Sequence, residues 1–186
     1  MVDFEKNPWT ILNEEKIYNN PWIELTEFNV LNPSGGKGIY SVLHFHNYAI
    51  GIIPLDEENN TWLVGQYRLP LNQYSWEIPE GGGNKNISPL ESAKRELLEE
   101  VGIVAKEWTQ IIETHLSNSA TDEYGIIYVA KSLSFHDSIP EDTEDLQVKK
   151  LSFNEVYEMV MNGTITDGLT MLAVMKAKLM MLDGKL

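Results

Sequence analysis

The sequence contains no cysteine among its 186 residues, which excludes disulfide bonds, thiolate nucleophiles and cysteine-ligated metals. Basic residues are also scarce: 14 lysines and arginines stand against 28 aspartates and glutamates, and the formal net charge is −14. A chain this acidic is poorly suited to sequence-independent binding of DNA or RNA, because that binding depends on Lys and Arg to neutralise phosphates. We therefore expect no nucleic-acid partner.

Long apolar runs are missing as well. No stretch reaches the roughly 18 apolar residues that a transmembrane helix needs, and the N-terminal sequence MVDFEKNPW lacks the apolar core of a signal peptide. We expect no membrane partner and a cytoplasmic location. A hydrophobic content of 42% is that of an ordinary globular chain, and the length is sufficient for one domain with a full core.

The densest set of signals lies between residues 76 and 103. The residues at 76–79 are typical of a strand end, and Gly81–Gly83 predicts a loop whose backbone can approach a ligand because no Cβ intervenes. A helix is predicted to follow. Its start and stop signals are Ser88 as N-cap, Pro89 at the first helical position, Glu91 as partner in a capping box, and Gly102 as terminator.

Three glutamates share one face of that predicted helix. Glu96, Glu99 and Glu100 fall within about 100° of one another around the axis, next to an apolar stripe of Leu90, Ala93, Leu97 and Val101. Like charges at these spacings repel, so a hard divalent cation with oxygen ligands is indicated, Mg²⁺ first and Mn²⁺ as the alternative. A solvated acidic face is the other interpretation, but the capping signals, glycines and stripe together favour the metal site.

These residues resemble the box of the Nudix hydrolases, in particular the type that hydrolyses ADP-ribose and nucleoside diphosphate sugars. The matching residues are Gly81, Arg95-Glu96-Leu97, Glu99-Glu100 and Gly102-Ile103. The resemblance implies an α/β fold: a Nudix α/β/α sandwich with a mixed sheet. It implies that Glu96, Glu99, Glu100 and the backbone carbonyl of Glu80 hold the metal, and that Glu99 and Arg95 act in catalysis.

One position departs from the family. Ile87 stands where the box has its first glutamate, which in the family supports the site from outside the metal shell. Glu91 offers a substitute, because it lies four residues before Arg95 in the order that favours an ion pair on a helix. The sequence therefore offers Glu91 as the support of Arg95; the alternative is that Glu91 serves only in the capping box.

Three strand-like runs precede the box region and predict a small antiparallel sheet: Trp9–Tyr18, Trp22–Leu31 and Gly38–His46. We expect this sheet to occupy residues 1–47 and the Nudix domain residues 48–186. The resemblance implies a homodimer formed through the sheet, with Trp9 and Trp22 as candidates to stack on a nucleobase. The alternative for each tryptophan is a packing or dimer-contact role.

The runs Ala49–Pro54 and Thr61–Arg68 are predicted to pair as a hairpin around a turn at Asp56–Asn60. Arg68 ends the second run, and a guanidinium suits bidentate contact with phosphate oxygens. The corresponding arginine of the resembling enzymes contacts the substrate pyrophosphate; the alternative is a surface arginine paired with an acid. Glu77 is a second candidate contact to the substrate or to the waters on the metal.

After the helix, two further strands are predicted at Trp108–Leu116 and Tyr124–Ser132. The loop between them resembles the one that reads the substrate in ADP-ribose hydrolases, which makes Asn118, Asp122 and Glu123 candidate substrate contacts. The resemblance also implies a glutamate that orients the attacking water. Glu144 matches best, with Glu141 and Asp142 as alternatives, and two helices opened by Ser152 and Asp167 complete the chain.

The sequence thus predicts metal-dependent hydrolysis of the pyrophosphate bond of a nucleoside diphosphate sugar or ADP-ribose, which yields a nucleoside monophosphate and a sugar phosphate. Two alternatives remain open. One is a Nudix-fold protein that binds nucleotide sugars with little or no catalysis. The other is an enzyme of the same family that acts on dinucleoside polyphosphates or nucleoside triphosphates.

Overall fold

The computed structural model describes residues 5–138 and 146–186, which form strands and helices in two compact units. The strands are β1 (Thr10–Asn19), β2 (Ile23–Leu31), β3 (Lys37–Phe45), β4 (Asn47–Pro54), β5 (Asn60–Arg68), β6 (Gln73–Glu77), β7 (Glu80–Asn84), β8 (Ile103–His115), β9 (Tyr124–Phe135) and β10 (Gln147–Ser152). The helices are α1 (Pro89–Val101), α2 (Phe153–Met161) and α3 (Gly168–Leu182). Within these described ranges, none of the helices is both long and apolar enough to span a membrane.

The first unit contains the described residues up to His46 together with Ser117–Glu123. Its antiparallel sheet has the order β1-β2-β3, so the predicted N-terminal sheet is confirmed. Every residue of β1 is exposed, whereas β2 buries Thr26 and Val30. The Ser117–Glu123 loop connects β8 to β9 and is hydrogen-bonded to β3: Leu43 N donates to Ala120 O at 2.9 Å.

The second unit is built around a four-stranded mixed sheet of order β7-β4-β9-β8, in which β4 and β9 are parallel. Alternation along β4 sends Ile50 and Ile52 to one face, where they pack with Leu97 of α1. Ile53 points to the other face, in a core that α2 and α3 complete with Phe153 and other residues. The predicted α/β/α sandwich with a mixed sheet is confirmed.

The predicted hairpin of β4 and β5 is wrong, although its turn is correct. β4 pairs with β7 and β9, whereas β5 pairs with β6 and β10 in a separate three-stranded sheet. Both edges of each strand are therefore occupied by other partners. The turn redirects the chain between the sheets: Asp56 Oδ1 accepts a hydrogen bond from Asn60 N at 2.7 Å, and Asn59 has a φ of +59°.

The three consecutive glycines form part of strand β7, not the predicted loop. Gly81 pairs with Ile50 of β4 in an antiparallel ladder. Their small size serves packing: a Cβ on Gly83 would lie 2.6 Å from Ile50 Cγ1. The sequence signal of three glycines therefore reports close approach to neighbouring elements, and the strand is set by tertiary pairing that local propensity does not reveal.

The ends of the helices follow most of their predicted signals. Gly102 ends α1 with a φ of +69°, and Ser152 and Glu155 form the predicted capping box of α2. For α1 the capping box is wrong, because the Ser88 side chain accepts no capping hydrogen bond within the described residues. Glu91 instead forms an ion pair with Lys94 at 2.7 Å, and its backbone N–H donates to the Ser88 carbonyl.

Candidate active site

The acidic face of α1 lies against the sheet. Glu96 and Glu100 are only 7% and 3% exposed, and Glu99 is partly buried. This burial follows from the helix's apolar stripe, because Ala93 and Leu97 pack into the core and bring the neighbouring glutamates with them. The structure therefore brings the three predicted carboxylates together at the edge of the core.

Strand β7 contacts this face closely. An added Cβ at Gly81 would fall between 2.3 and 2.5 Å from the carboxyl atoms of Glu96, so the glycine provides the space that this carboxylate occupies. One residue earlier, Glu80 N donates a hydrogen bond to Glu100 Oε2 at 3.0 Å. The backbone at Glu80 and Gly81 is thus in direct contact with two of the predicted metal ligands.

Arg95 neutralises part of the negative charge of the glutamates on α1. Its guanidinium donates to Glu99 Oε2 and Glu96 Oε1, each at 2.5 Å, and to the Gly82 carbonyl at 3.0 Å. Arg95 therefore has three acceptors without Glu91, which pairs with Lys94. The predicted support of Arg95 by Glu91 is wrong, because the neighbouring glutamates and the β7 carbonyl satisfy the guanidinium.

A second ion-pair cluster joins the ends of β5, β6 and β7. Arg68 donates from Nε to Glu77 Oε1 at 3.0 Å and from Nη2 to Glu77 Oε2 at 2.5 Å, and Nη2 also reaches Glu80 Oε1 at 3.0 Å. Glu77 is only 2% exposed. The structure thus shows Arg68 paired with acids, and the predicted contacts of Arg68 and Glu77 with the substrate stay predictions.

Asp167 is a member of this cluster that sequence reasoning identified only as a helix cap. Carboxylate oxygens of Glu77, Glu80 and Asp167 lie within 4.8 Å of one another, close enough to share one cation. Burial, followed by the negative charges of Asp167 and Glu77, raises the pKa of Glu80 well above its usual range, against the opposing effect of Arg68. No spacing in the sequence links Asp167 to residues some ninety positions earlier.

The residues present fit a divalent cation. Glu80 Oε2 is buried and has no hydrogen-bond partner among the residues that the structure describes, although a buried polar oxygen without a partner is costly. Among the described residues, Arg68 pairs with Glu77 and Glu80, and Arg95 pairs with Glu96 and Glu99, while Glu100 and Asp167 are further carboxyl groups of the same region. The site is therefore rich in the carboxylate oxygens that Mg²⁺ and Mn²⁺ prefer.

The two tryptophans of the first unit differ in their surroundings. Trp9 contacts Tyr40 edge to face, with ring centroids 5.3 Å apart. Both rings line a mainly apolar groove of about 260 Å³ together with Asn7, Ile11, Phe28, Val30 and Val42. Trp22 is exposed. Stacking of either ring on a nucleobase stays a prediction, and the groove favours Trp9.

The predicted substrate-reading residues belong to the Ser117–Glu123 loop of the first unit. Asp122 accepts hydrogen bonds through both carboxylate oxygens, from Phe45 N at 2.9 Å and in a contact with His44 Nδ1 at 2.7 Å. Asn118 is exposed, and Glu123 N donates to Thr121 Oγ1. Asp122 therefore holds the loop on β3, and the substrate contacts of these loop residues stay predictions. Glu141, Asp142 and Glu144 lie outside the described residues.

Comparison with known proteins identifies the family. The NUDIX domain model matches residues 45–167. A methanol dehydrogenase activator of Bacillus methanolicus is 29% identical over 88% of this chain and 89% of its own, and an ADP-ribose pyrophosphatase of Bacillus subtilis is 28% identical over 87% and 88%. A crystal structure of an ADP compounds hydrolase superposes with a TM-score of 0.83 at 20% identity, covering 96% of this chain and 97% of that one. With the glutamate-bearing helix packed on its glycine strand and the family model matching about two-thirds of its length, the chain belongs to the Nudix family.

Proposed function

We propose that this protein is a Nudix pyrophosphohydrolase that cleaves the pyrophosphate bond of ADP-ribose or a nucleoside diphosphate sugar. The products are a nucleoside monophosphate and a sugar phosphate. The burial of Glu96 and Glu100 against β7 carries this proposal, because burying carboxylates side by side is costly and a bound divalent cation offsets that cost. The similarity to an ADP-ribose pyrophosphatase along most of both chains supports the choice of substrate.

Nudix hydrolases generally depend on a divalent metal, and we assign Mg²⁺ or Mn²⁺ to this site. Glu96, Glu99 and Glu100, with the backbone carbonyl of Glu80, are the residues that would hold it. Such an ion neutralises charge on phosphoryl oxygens and lowers the pKa of the attacking water. Glu80 and Asp167 add carboxylate oxygens beside these ligands and are suited to the same hard cations.

The protein's own residues supply orientation and proton transfer. Arg95 fixes the directions of the Glu96 and Glu99 carboxylates through its two charge-assisted hydrogen bonds. Arg68 holds Glu77 and Glu80 in place, and its planar guanidinium is suited to the negatively charged pyrophosphate. Glu144 is assigned to accept the proton of the attacking water, a general-base role worth roughly 10²- to 10⁴-fold in rate.

Residues of the first unit are assigned to the nucleotide and to dimerisation. Trp9, with Trp22 as the alternative, stacks on the nucleobase, and Asn118, Asp122 and Glu123 are the polar candidates. The wholly exposed β1 includes Ile11, whose side chain projects beside Trp9 on an edge strand with one partner in the described chain. Exposed edges and apolar faces favour association. A homodimer through this sheet predicts a mass of twice 21.2 kDa in sedimentation at micromolar concentration; a monomer contradicts it.

One chromatographic assay tests the proposed function. The purified protein is incubated with ADP-ribose, several nucleoside diphosphate sugars, a dinucleoside polyphosphate and a nucleoside triphosphate, each with Mg²⁺, Mn²⁺ or a chelator. We expect nucleoside monophosphate and sugar phosphate only where metal is present. Tight binding of a nucleotide sugar without products under any metal condition identifies a binding protein. If products form only from the dinucleoside polyphosphate or the nucleoside triphosphate, the protein is an enzyme but the proposed substrate class is wrong.

A further inference from the structure

The connection between β6 and β7 is held at successive residues. The carboxylate of Glu77 is fixed by Arg68, the Pro79 carbonyl accepts from Ile52 N at 2.9 Å, and Glu80 N donates to Glu100. Ile78 lies between these points. Its backbone N–H donates to the side-chain hydroxyl Oγ1 of Thr170, 3.0 Å away, on a helix that starts 90 residues later in the sequence.

The hydrogen bond between Ile78 and Thr170 is sealed from solvent. Ile78 is 1% exposed and Thr170 is completely buried. Water therefore does not replace the hydroxyl if it is lost, and a buried N–H without an acceptor carries the full cost of its desolvation. If the hydroxyl is lost, the lowest-cost response of the Ile78 peptide group is to rotate towards another acceptor. Such a rotation moves the residues on both sides.

We propose that Thr170 is a positioning residue of the acidic site: its hydroxyl fixes the Ile78 peptide and thereby the directions of Glu77 and Glu80, which lie on either side of it. This inference rests on the proposed metal site. The geometry of the connection supports it, because the Glu80 N–H donates to Glu100, one Glu80 carboxylate oxygen is buried, and the Glu80 carbonyl is the proposed backbone ligand. A small rotation before Glu80 alters all three.

The hydroxyl of Thr170 can be removed without disturbing the start of α3. Asp167 caps this helix by accepting from the backbone N–H of Thr170 at 2.7 Å, a bond that does not involve the threonine side chain. Thr170→Val replaces the hydroxyl with a methyl group of similar size and leaves the helix cap intact. The variant thus isolates the contact with Ile78.

The test measures metal binding directly, by electron paramagnetic resonance of Mn²⁺ titrated into the whole protein, together with amide hydrogen exchange at Ile78. For Thr170→Val we expect the Mn²⁺ dissociation constant to rise by about 10- to 100-fold, as for other changes to groups that orient metal ligands. We also expect faster exchange at Ile78. Thr170→Ser, which keeps the hydroxyl, restores the affinity of the parent protein.

Thr61 supplies a matched control. It is only 1% exposed and lies on β5 in the same unit, but its hydroxyl has no hydrogen-bond partner among the described residues. Thr61→Val makes the same chemical change at an equally buried position. We expect this variant to bind Mn²⁺ as the parent does, so any loss specific to Thr170→Val is due to the bond with Ile78.

An unchanged Mn²⁺ affinity in Thr170→Val, together with faster exchange at Ile78, overturns the proposal, because the bond would then be purely structural. If Thr170→Val does not fold, weakened binding in the folded Thr170→Ser overturns it instead. Because metal binding is measured without turnover, a parent protein that binds Mn²⁺ and hydrolyses no substrate rejects the proposed function alone. A parent that hydrolyses substrate, with Thr170→Val binding Mn²⁺ equally well, rejects this inference alone.

Discussion

The two units of the molecule place their charges in different environments. In the second unit, Glu77, Glu96 and Glu100 are buried and are held by guanidinium or backbone donors. In the first unit, polar pairs such as His44 with Asp122 stay partly exposed. Exposed pairs contribute little to stability, whereas removing one partner from a buried network is costly. Replacing a charged side chain of the buried network in the second unit is therefore expected to have a large effect on activity or stability. Replacing a member of an exposed pair in the first unit is expected to have a small one.

The largest effect is expected for Glu100→Gln. Glu100 is a proposed metal ligand, and on its loss we expect hydrolysis to fall about a thousandfold, the equivalent of roughly 4 kcal/mol of transition-state stabilisation. Steady-state kinetics with Mg²⁺ and circular dichroism measure the rate and confirm the fold. Turnover like that of the parent protein contradicts the metal-ligand assignment.

Glu91→Gln is the control on the same helix. Glu91 is exposed and pairs with Lys94, so its removal should leave the Mg²⁺ concentration for half-maximal rate unchanged. The expected stability cost is a few tenths of a kcal/mol, as for other exposed helix pairs. A raised Mg²⁺ requirement would restore a link between Glu91 and Arg95 that the structure does not show.

The next effect is expected for Gly81→Ala. The added methyl group would lie 2.3 to 2.5 Å from the Glu96 carboxyl atoms and must displace them. We expect metal affinity and turnover to fall by about 10- to 100-fold, as for other changes beside metal ligands. Gly38→Ala on β3 is the counterpart in the first unit, since nothing lies within 4 Å of its added Cβ. Equal losses in both variants would contradict a specific role for Gly81.

Asp56→Asn tests an ion pair of the second unit, between Asp56 in the β4–β5 turn and the half-exposed Lys150. Burial acts to raise the pKa of Asp56, but hydrogen bonds from Lys150 and Asn60 outweigh it and lower the pKa from 3.8 to about 2. A carboxyl group whose pKa is lower in the folded than in the unfolded state stabilises the fold at pH values above its unfolded-state pKa. This stabilisation is lost as the pH falls through the folded-state pKa. Because Lys150 is half exposed and water screens the pair, we expect a loss of roughly 1 kcal/mol in unfolding free energy at pH 7.

The difference between Asp56→Asn and the parent should narrow as the pH falls from 3.8 towards 2. Urea unfolding at pH 7, 5 and 3 measures it. Asp183→Asn serves as the control, because Asp183 and its partner Lys185 are both well exposed. A difference that is the same at pH 3 and pH 7 would show that the Asp56 charge is not the source of the effect.

A small effect on stability is also expected for His44→Ala in the first unit. Both members of the pair with Asp122 are partly exposed, so we expect a loss of at most about 1 kcal/mol in urea unfolding. If the Ser117–Glu123 loop contacts the substrate, KM rises while kcat is preserved. His46→Ala is the control, because His46 contacts the Pro21 carbonyl and not the loop. A fall in kcat with unchanged KM argues against a substrate-binding loop.

Features governed by local chemistry were predictable from the sequence. The acidic face of α1, its stop at Gly102 and the N-terminal strands follow from helical spacing, glycine conformation and turn residues. The pairing of β4 was not predictable, because a central strand of continuous apolar residues carries no signal for which neighbours it takes.

The candidate active site was likewise predictable only in part. The spacing of Glu96, Glu99 and Glu100 indicated a shared face, and the structure buries two of them. Asp167 and Thr170 were not found, because their connection to β6 and β7 arises from tertiary packing across some ninety residues. Glu91 was assigned the wrong partner because Arg95 and Lys94 are both within reach along the helix, and only the position of β7 decides between them.

The inclusion of Ser117–Glu123 in the first unit has a consequence for how this chain can be divided. A cut after His46 would leave the first unit incomplete, because its Ser117–Glu123 loop lies between β8 and β9 and stays with the other fragment. In the fragment that follows His46, the loop would expose the hydrogen-bonding groups of Asp122 and Ala120 that β3 now satisfies. Exchange of the N-terminal sheet between relatives, by recombination or by design, therefore requires the matching loop to move with it.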